Sequence, residues 1–163
     1  MLFELHNSEY EYNYNFDFQI RIQMLFFAHP KSLELLQRYP EVLLMDCTYK
    51  TNRFRMPLLD ILRSTGLGTT FYAAFVFLSN ETEEKYKEAL KMLSEVLQKR
   101  EISYSGVIVI DRNKGLMKAI EYTLLATKNL LCLWHINKNV LAHIQQCQVF
   151  KAKTEEEESF LKL

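Results

Sequence analysis

Residues 41–52 read Glu41-Val42-Leu43-Leu44-Met45-Asp46-Cys47-Thr48-Tyr49-Lys50-Thr51-Asn52. A short apolar run of this kind is typical of a strand that is buried inside a sheet. The acid that ends the run, Asp46, is then expected at the rim of the sheet, where α/β proteins bind ligands. Asp46 is therefore the first candidate site residue, and the alternative is an ordinary strand-end acid that faces water.

A hairpin and a helix are predicted to follow this strand. Residues Pro57–Arg63 and Thr70–Leu78 are apolar segments on either side of a glycine-containing turn, which predicts an antiparallel hairpin. Apolar residues recur at three- and four-residue spacing over Glu83–Lys99, which predicts a helix. Asn80 and Glu83 have the spacing of a capping pair at its start.

A second apolar run also ends in a carboxylate. Val107–Ile110 is the run, Asp111 is the acid, and Lys114–Leu125 has helical spacing. A hairpin-linked meander followed by right-handed crossovers gives a mixed sheet with helices on its faces. The Asp46 strand is then central and parallel to the Asp111 strand, so the two acids are expected side by side at one edge.

The ends of the chain carry weaker patterns. Polar and aromatic or aliphatic residues alternate over Glu9–Ile22, which predicts a half-buried strand, and its length of fourteen residues leaves room for a turn or bulge within it. We expect residues 1–40 to pack on the core as a strand or hairpin and a helix, residues 41–150 to form the core, and residues 151–163 to begin a helical insertion. The remaining predicted elements are a helix that starts at Pro30, a strand over Asn129–Leu133, a helix over His135–Cys147 and a helix over Lys151–Leu163.

Composition limits the classes of partner. Twenty basic residues balance twenty acidic ones, so contact with DNA would have to come from a local basic patch. The three cysteines are odd in number and widely spaced, which favours a reducing compartment over a disulfide framework. We expect no membrane partner, because no apolar run approaches the roughly 20 residues that a spanning helix needs.

Four motifs in the chain resemble those of the Mutator-like element (MULE) transposase domain. Their order and spacing agree over roughly residues 20–150, and together they are far more specific than any one alone. The motifs are Met45–Asn52 (MDCTYKTN), Phe77–Glu83 (FLSNETE), Val109–Ile120 (VIDRNKGLMKAI) and Cys132–Asn139 (CLWHINKN).

The resemblance implies a ribonuclease-H-like fold and a DDE-type transposase that cuts and joins DNA with Mg²⁺ or Mn²⁺. Asp46 and Asp111 look like the family's first two catalytic acids and metal ligands, and Cys132 and His135 look like its Cys-x-x-His signature. The family's third acid is a glutamate farther downstream, and Glu155–Glu158 come too early for that role. We therefore expect the 163-residue chain to be inactive alone.

The resemblance also implies partners. The expected partners are the DNA ends of a transposon and a second copy of the chain in a homo-oligomer, and the expected location is the nucleus. Lys50, Arg53 and Arg55 follow Asp46 closely and are candidate phosphate contacts, with a solvated hairpin as the alternative. His135 and Asn139 share a helix face, and they are candidates for a contact with DNA.

Several residues have a second interpretation. Asp111 could cap the helix that follows it, and Cys132 with His135, His143 and Cys147 could bind structural zinc, although the helical spacing of the histidines argues against this. For Trp134 we expect a core position, with a base-stacking surface as the alternative. For Asp60 we expect a surface position, with a position that faces the metal edge as the alternative. For Glu81 we expect the role of a first-turn acid that the helix dipole favours.

Two other functions stay open at this point. One is a domesticated or decayed domain, derived from a transposase, that associates with DNA or with other proteins without catalysis. The other is a ribonuclease-H-like nuclease that is unrelated to transposition, which the Cys-x-x-His motif disfavours.

Overall fold

The computed structural model describes residues 2–65 and 68–146. Of these residues, those up to Leu130 belong to one compact unit, and Leu131 to Gln146 belong to another. Cys147 and the predicted helix over Lys151–Leu163 lie outside the described residues, and the domain boundaries at residues 40 and 150 stay a prediction.

Within this described part, the chain contains five helices and seven strands. In chain order they are α1 (Leu2–His6), β1 (Glu11–Phe16), β2 (Ile22–Ala28), α2 (Pro30–Arg38), β3 (Val42–Thr48), β4 (Leu58–Ser64), β5 (Thr70–Leu78), α3 (Glu83–Lys99), β6 (Val107–Ile110), α4 (Lys114–Thr123), β7 (Lys128–Leu131) and α5 (Leu133–Gln146). No helix among these is both long enough and apolar enough to cross a membrane.

One mixed sheet contains all seven described strands, in the order β1-β2-β5-β4-β3-β6-β7. Strands β3, β4 and β5 form an antiparallel meander, and β6 pairs parallel to β3. The predicted hairpin, the interior position of the Asp46 strand beside the parallel Asp111 strand, and the ribonuclease-H-like α/β class are therefore confirmed. The sheet is wider than the five strands expected, because β2 pairs with β5 and β1 pairs with β2.

The alternation of side chains along β3 divides the sheet into two faces. Leu43 and Met45 point to the face that α3 and α4 cover, and both are buried there. We call this the core face. Leu44 and Asp46 point to the opposite side, which we call the Asp46 face, and Leu44 is only half-buried.

Helices α2, α3 and α4 contribute to a single apolar cluster on the core face. The prediction for α3 is confirmed from Glu83 to Lys99, and its apolar stripe is buried. Its N-cap is Thr82, whose hydroxyl accepts a hydrogen bond from the amide of Lys85, so the predicted capping pair of Asn80 and Glu83 is wrong.

Of the strand and the hairpin expected in the N-terminal part of the chain, the hairpin is the one observed. Strand β1 ends at Phe16, and a turn closes through Asp17, whose carboxylate accepts the amides of Gln19 and Arg21. Strand β2 then begins at Ile22. The alternation of residue types continues through the turn, so periodicity alone could not reveal it.

The polar side of β1 faces α3, and its aromatic side is the more exposed one. Glu11 forms salt bridges of 2.8 Å with Lys99 and 2.6 Å with Arg100 at the end of α3. The hydrogen bond from Lys99 is the main cause that lowers the pKa of Glu11. Tyr14 and Phe16 are both more than two-fifths exposed. Charge pairing with α3, rather than burial of aromatic rings, orients this edge strand.

Replacement of a fully buried leucine on α3 tests the core face. Leu90→Ala removes a side chain that is 0% exposed, and we expect a loss of about 2–5 kcal/mol in the free energy of unfolding. Leu125→Ala is the matched control, because that side chain is 87% exposed and should change stability by less than about 0.5 kcal/mol. Urea unfolding followed by circular dichroism measures both, and equal losses would contradict the assignment of the core.

Candidate metal and nucleic-acid site

Asp46 and Asp111 lie at the same edge of the sheet. Met45 pairs with Ile110 in the parallel register, so each acid follows its strand's last paired residue by one position. Neighbouring strands are about 4.8 Å apart, which brings the two backbone positions together. One carboxylate oxygen of Asp46 accepts the amide of Cys47 at 3.0 Å, and one of Asp111 accepts the amide of Asn113 at 3.1 Å.

The helix cap beside Asp111 is a different residue. Asn113 is the N-cap of α4, and its side-chain oxygen accepts the amide of Leu116 at 3.0 Å. The interpretation of Asp111 as the cap itself is therefore wrong. Asp111 instead holds the turn that presents Asn113, and both residues have a defined position.

Asp60 is a third carboxyl group beside this pair. It is the direct cross-strand partner of Asp46 on β4, so both side chains point to the Asp46 face. The surface position expected for Asp60 is wrong, because its exposed fraction is 8%, and the alternative position on the side of Asp46 is the one observed. Burial raises the pKa of Asp60 and the charge of Asp46 adds to this, while a hydrogen bond from Thr48 opposes both. A lone acid within an apolar strand was the signal in the sequence.

Glu81 anchors a network on the opposite side of the strand ends. It precedes the N-cap of α3, and its carboxylate accepts the hydroxyl of Tyr49 at 2.9 Å and that of Tyr86 at 2.8 Å. The role expected for Glu81, a first-turn acid on the helix dipole, is therefore wrong. Nothing in the spacing of the sequence indicates the two tyrosine partners.

The hydroxyl of Tyr86 links both acidic strand ends. The hydroxyl uses its one hydrogen to donate to Glu81. Its oxygen therefore accepts from the side-chain amide nitrogen of Asn113 at 3.0 Å and from the thiol of Cys47 at 3.3 Å. Burial raises the pKa of Tyr86, Tyr49 and Cys47, so all three remain protonated at neutral pH. The network thus connects the residue after Asp46 to the turn after Asp111.

The segment from Lys50 to Arg55, which we call the basic loop, is held by Asn52. The side-chain oxygen of Asn52 accepts the amides of Phe54 and Met56 at 3.0 and 3.2 Å, and its nitrogen donates to the carbonyl of Met56 at 2.7 Å. These three hydrogen bonds close the loop onto the start of β4.

The cations of the basic loop project into solvent. Lys50, Arg53 and Arg55 are exposed, and no salt bridge to a carboxylate engages them in the described part of the chain. Lys50 and Arg55 have positive φ angles of 61° and 57°, a conformation that costs on the order of 1–3 kcal/mol at each residue. The loop is therefore a constrained turn that presents three unneutralised cations beside Asp46.

The Cys-x-x-His motif belongs to the second compact unit. Cys132 precedes α5, and His135 and Asn139 lie on α5 at a spacing that places them on one side of the helix. Trp134 is 62% exposed, so its expected core position is wrong. Among the described residues no group of three or more His, Cys, Asp or Glu side chains could hold a metal ion, and zinc at the motif stays a prediction.

Comparison with known families identifies the chain. The model of the MULE transposase domain matches residues 42–139, which is more than half of the sequence. The chain belongs to the MULE transposase domain family. The match includes Asp46, Asp111 and the Cys-x-x-His motif of this MULE domain, and the resemblance seen in the four sequence motifs is thereby confirmed.

Two curated relatives contain a region similar to this MULE domain. Protein FAR1-RELATED SEQUENCE 5 of Arabidopsis thaliana is 24% identical over 123 residues, which is 74% of this chain. The PKS-NRPS hybrid synthetase cheA of Chaetomium globosum is 30% identical over 122 residues, or 75% of this chain. The chain spans only 15% of the first relative and 3% of the second.

Solved structures of a viral integrase have a distant likeness to the MULE domain. The HTLV-2 integrase catalytic core domain, in complex with magnesium, matches in its dimeric form with 13% identity and a TM-score of 0.37, over 75% of this chain and 82% of that one. Its trimeric form matches with 11% identity and a TM-score of 0.35, over 76% and 80%. These scores are too low to transfer any site geometry.

Asp60→Asn tests the buried carboxyl group. Because burial raises its pKa above the ordinary 3.8, the wild-type domain loses stability as the pH rises from about 4 through the folded-state pKa. The amide cannot ionise, so the variant should gain stability relative to wild type at about pH 7 and lose this advantage at about pH 3.5. Urea unfolding at both values measures the difference.

Asp17→Asn is the matched control for this pH dependence. Hydrogen bonds from Arg21 lower the pKa of Asp17, so its charged form stabilises the fold above the unfolded-state pKa, and that contribution is lost as the pH falls. The control should therefore shift stability in the opposite direction at neutral pH. A shift of the same sign in both variants would contradict the opposite environments of the two carboxyl groups.

Proposed function

We propose that this domain is the catalytic core of a DDE-type DNA transposase, which cleaves phosphodiester bonds at transposon ends and joins the freed strand to a target. The supporting observation is the pair of acids that follow neighbouring parallel strands in a member of the MULE family. The proposal includes Mg²⁺ or Mn²⁺ as cofactor, transposon DNA as partner, assembly as a homo-oligomer and a nuclear location.

The acidic edge suits a hard divalent cation. Mg²⁺ prefers oxygen ligands and is usually held by one or two carboxylates together with substrate phosphate oxygens. Asp46 and Asp111 would supply two such carboxylates, and a glutamate downstream would be the third. When bound, the metal would neutralise charge on the phosphate and lower the pKa of the attacking water.

The residues of this chain position the acids and the DNA. Glu81 and Tyr86 hold the two strand ends at a constant separation, since their hydrogen bonds reach Tyr49 after β3 and Asn113 after β6. The basic loop binds phosphates on either side of the bond that is cut, because its cations have no acidic partner within the described residues. His135 and Asn139 are proposed as further DNA contacts from α5.

A non-catalytic DNA-associated domain is the second candidate. It is favoured by the similarity to Protein FAR1-RELATED SEQUENCE 5 of Arabidopsis thaliana, a relative whose name does not describe a transposase. Such a domain would keep the basic loop as a phosphate-binding surface and would not need the acidic edge. Metal binding and DNA cleavage therefore separate the two candidates.

Paramagnetic Mn²⁺ tests the acidic edge in this chain. We expect Mn²⁺ to broaden the amide NMR signals of residues near Asp46 and Asp111 first, because the two carboxylates concentrate the ion there. Asp46→Asn and Asp111→Asn should each abolish this selective broadening, whereas Glu34→Gln, at an exposed acid on α2, should retain it. In a form extended to the downstream glutamate, the same two variants should lose metal-dependent DNA cleavage.

Cleavage that persists in both aspartate variants would overturn the catalytic proposal. Selective broadening without cleavage in the extended form would favour the non-catalytic candidate. Unselective broadening over the whole surface would contradict the proposed metal site at Asp46 and Asp111.

The salt dependence of DNA binding tests the basic loop. Each phosphate contact contributes about 0.9 to the slope of log affinity against log salt concentration for duplex DNA. Lys50→Gln, Arg53→Gln and Arg55→Gln should each reduce that slope by about this amount. Lys91→Gln, an exposed lysine on α3, should leave the slope unchanged. Equal slopes for all four variants would show that the loop does not contact phosphates.

A further inference from the structure

A groove of about 830 Å³ lies beside the basic loop on the Asp46 face. Leu25 and Phe77 form its floor, since both are in register with Leu58 on the side of the sheet that carries Asp60. Phe54, from the basic loop, contributes to its wall. The volume is in the range of about 300–1,000 Å³ that small-molecule sites occupy.

The available charge in this groove is positive. Of the described residues that line it, two are arginines and none is acidic. Arg21 is paired with Asp17 at 2.7 Å, whereas Arg53 has no carboxylate partner among the described residues and its guanidinium lies 4.7 Å from the ring centroid of Phe54. The groove therefore offers one unneutralised cation next to an exposed aromatic ring.

A hydroxyl group in the groove wall lacks a partner. The Oγ atom of Ser79 is buried and has no hydrogen-bond partner in the described part of the chain, while its backbone amide donates to Gln23 at 2.9 Å. A serine hydroxyl can both donate and accept, and leaving it unpaired when buried is costly. Rotation of the Ser79 side chain toward the groove would allow a ligand with polar atoms on the edge of a flat apolar body to satisfy it.

We propose that this groove binds one unpaired nucleotide of the DNA strand that the basic loop holds. The base packs against Phe54 and Phe77, its polar edge reaches Ser79, and its phosphate pairs with Arg53. An apolar peptide would fill the same walls but would not account for the unneutralised arginine. The base must be unpaired, because a paired base is stacked inside the duplex and cannot enter.

The order of the strands gives the distance between the groove and the acidic edge. Strands β5 and β2 lie two and three places from β3 in the sheet, which corresponds to about 10–14 Å at the usual strand spacing. Stacked nucleotides rise about 3.4 Å each, so the bound nucleotide would lie about three or four positions from a phosphate at Asp46. The inference rests on the proposed DNA function, and it adds recognition of a flanking nucleotide.

Binding of a short oligothymidylate and of an abasic strand of equal length tests the proposal. Fluorescence anisotropy in EDTA at constant salt removes any contribution of a metal. The wild-type domain should bind the oligothymidylate about tenfold more tightly, the effect of one stacked base. Phe54→Ala should lose this preference, so that it binds the two strands equally, and Ser79→Ala should reduce it.

Phe3→Ala is the matched control, since that ring is 79% exposed and lies on α1, and it should keep the full preference. Equal binding of both strands by the wild type, or an unchanged preference in Phe54→Ala, would overturn the groove assignment. Self-association that Phe54→Ala abolishes, without any base preference, would identify a second copy as the occupant and overturn it as well.

The result can be separated from that of the proposed function. Base preference is measured without metal, so loss of selective Mn²⁺ broadening with an intact base preference would overturn catalysis and leave the groove. Metal-dependent cleavage in the extended form, with equal binding of both strands, would overturn the groove assignment and leave the catalytic proposal.

Discussion

The parallel pairing of β3 with β6 is the constraint on which the site depends. Its register places Met45 opposite Ile110, and the next residue on each strand is an aspartate. A shift of one residue would turn the buried side chains of either strand to the Asp46 face. The apolar core therefore determines the separation of Asp46 and Asp111, although neither acid contributes to the core.

Carboxyl groups gathered at one edge repel one another, and the fold compensates in two ways. Asp60, on the same face as Asp46, has a raised pKa to which burial contributes more than the charge of Asp46 does. On the other side, Glu81 receives hydroxyl hydrogen bonds from Tyr49 and Tyr86. The edge thus combines Asp60, whose raised pKa favours its neutral form, with Glu81, whose carboxylate accepts hydrogen bonds from two tyrosines.

Local patterns predicted the elements whose apolar residues recur at a regular spacing and are buried along the whole element. Helix α3 was predicted from Glu83 to Lys99 because its apolar stripe packs on the core face throughout. The pattern over Glu9–Ile22 allowed a strand or a hairpin but did not give the position of the turn at Asp17, because polar and apolar residues alternate through it. The lone acid within an apolar strand pointed to Asp60, but its pairing with Asp46 and the tyrosine partners of Glu81 depend on contacts between distant segments, about which spacing carries no information.

The sequence by itself determined the fold class, the family and the candidate acids Asp46 and Asp111, because these depend on apolar runs and motifs that are local. Only the tertiary structure showed that Asp60 lies opposite Asp46 and that Tyr86 connects the strand ends. The groove also exists only in the tertiary structure, because its floor comes from two strands and part of its wall comes from the basic loop. The physical reason is that burial and cross-strand pairing arise only when segments far apart in sequence pack together.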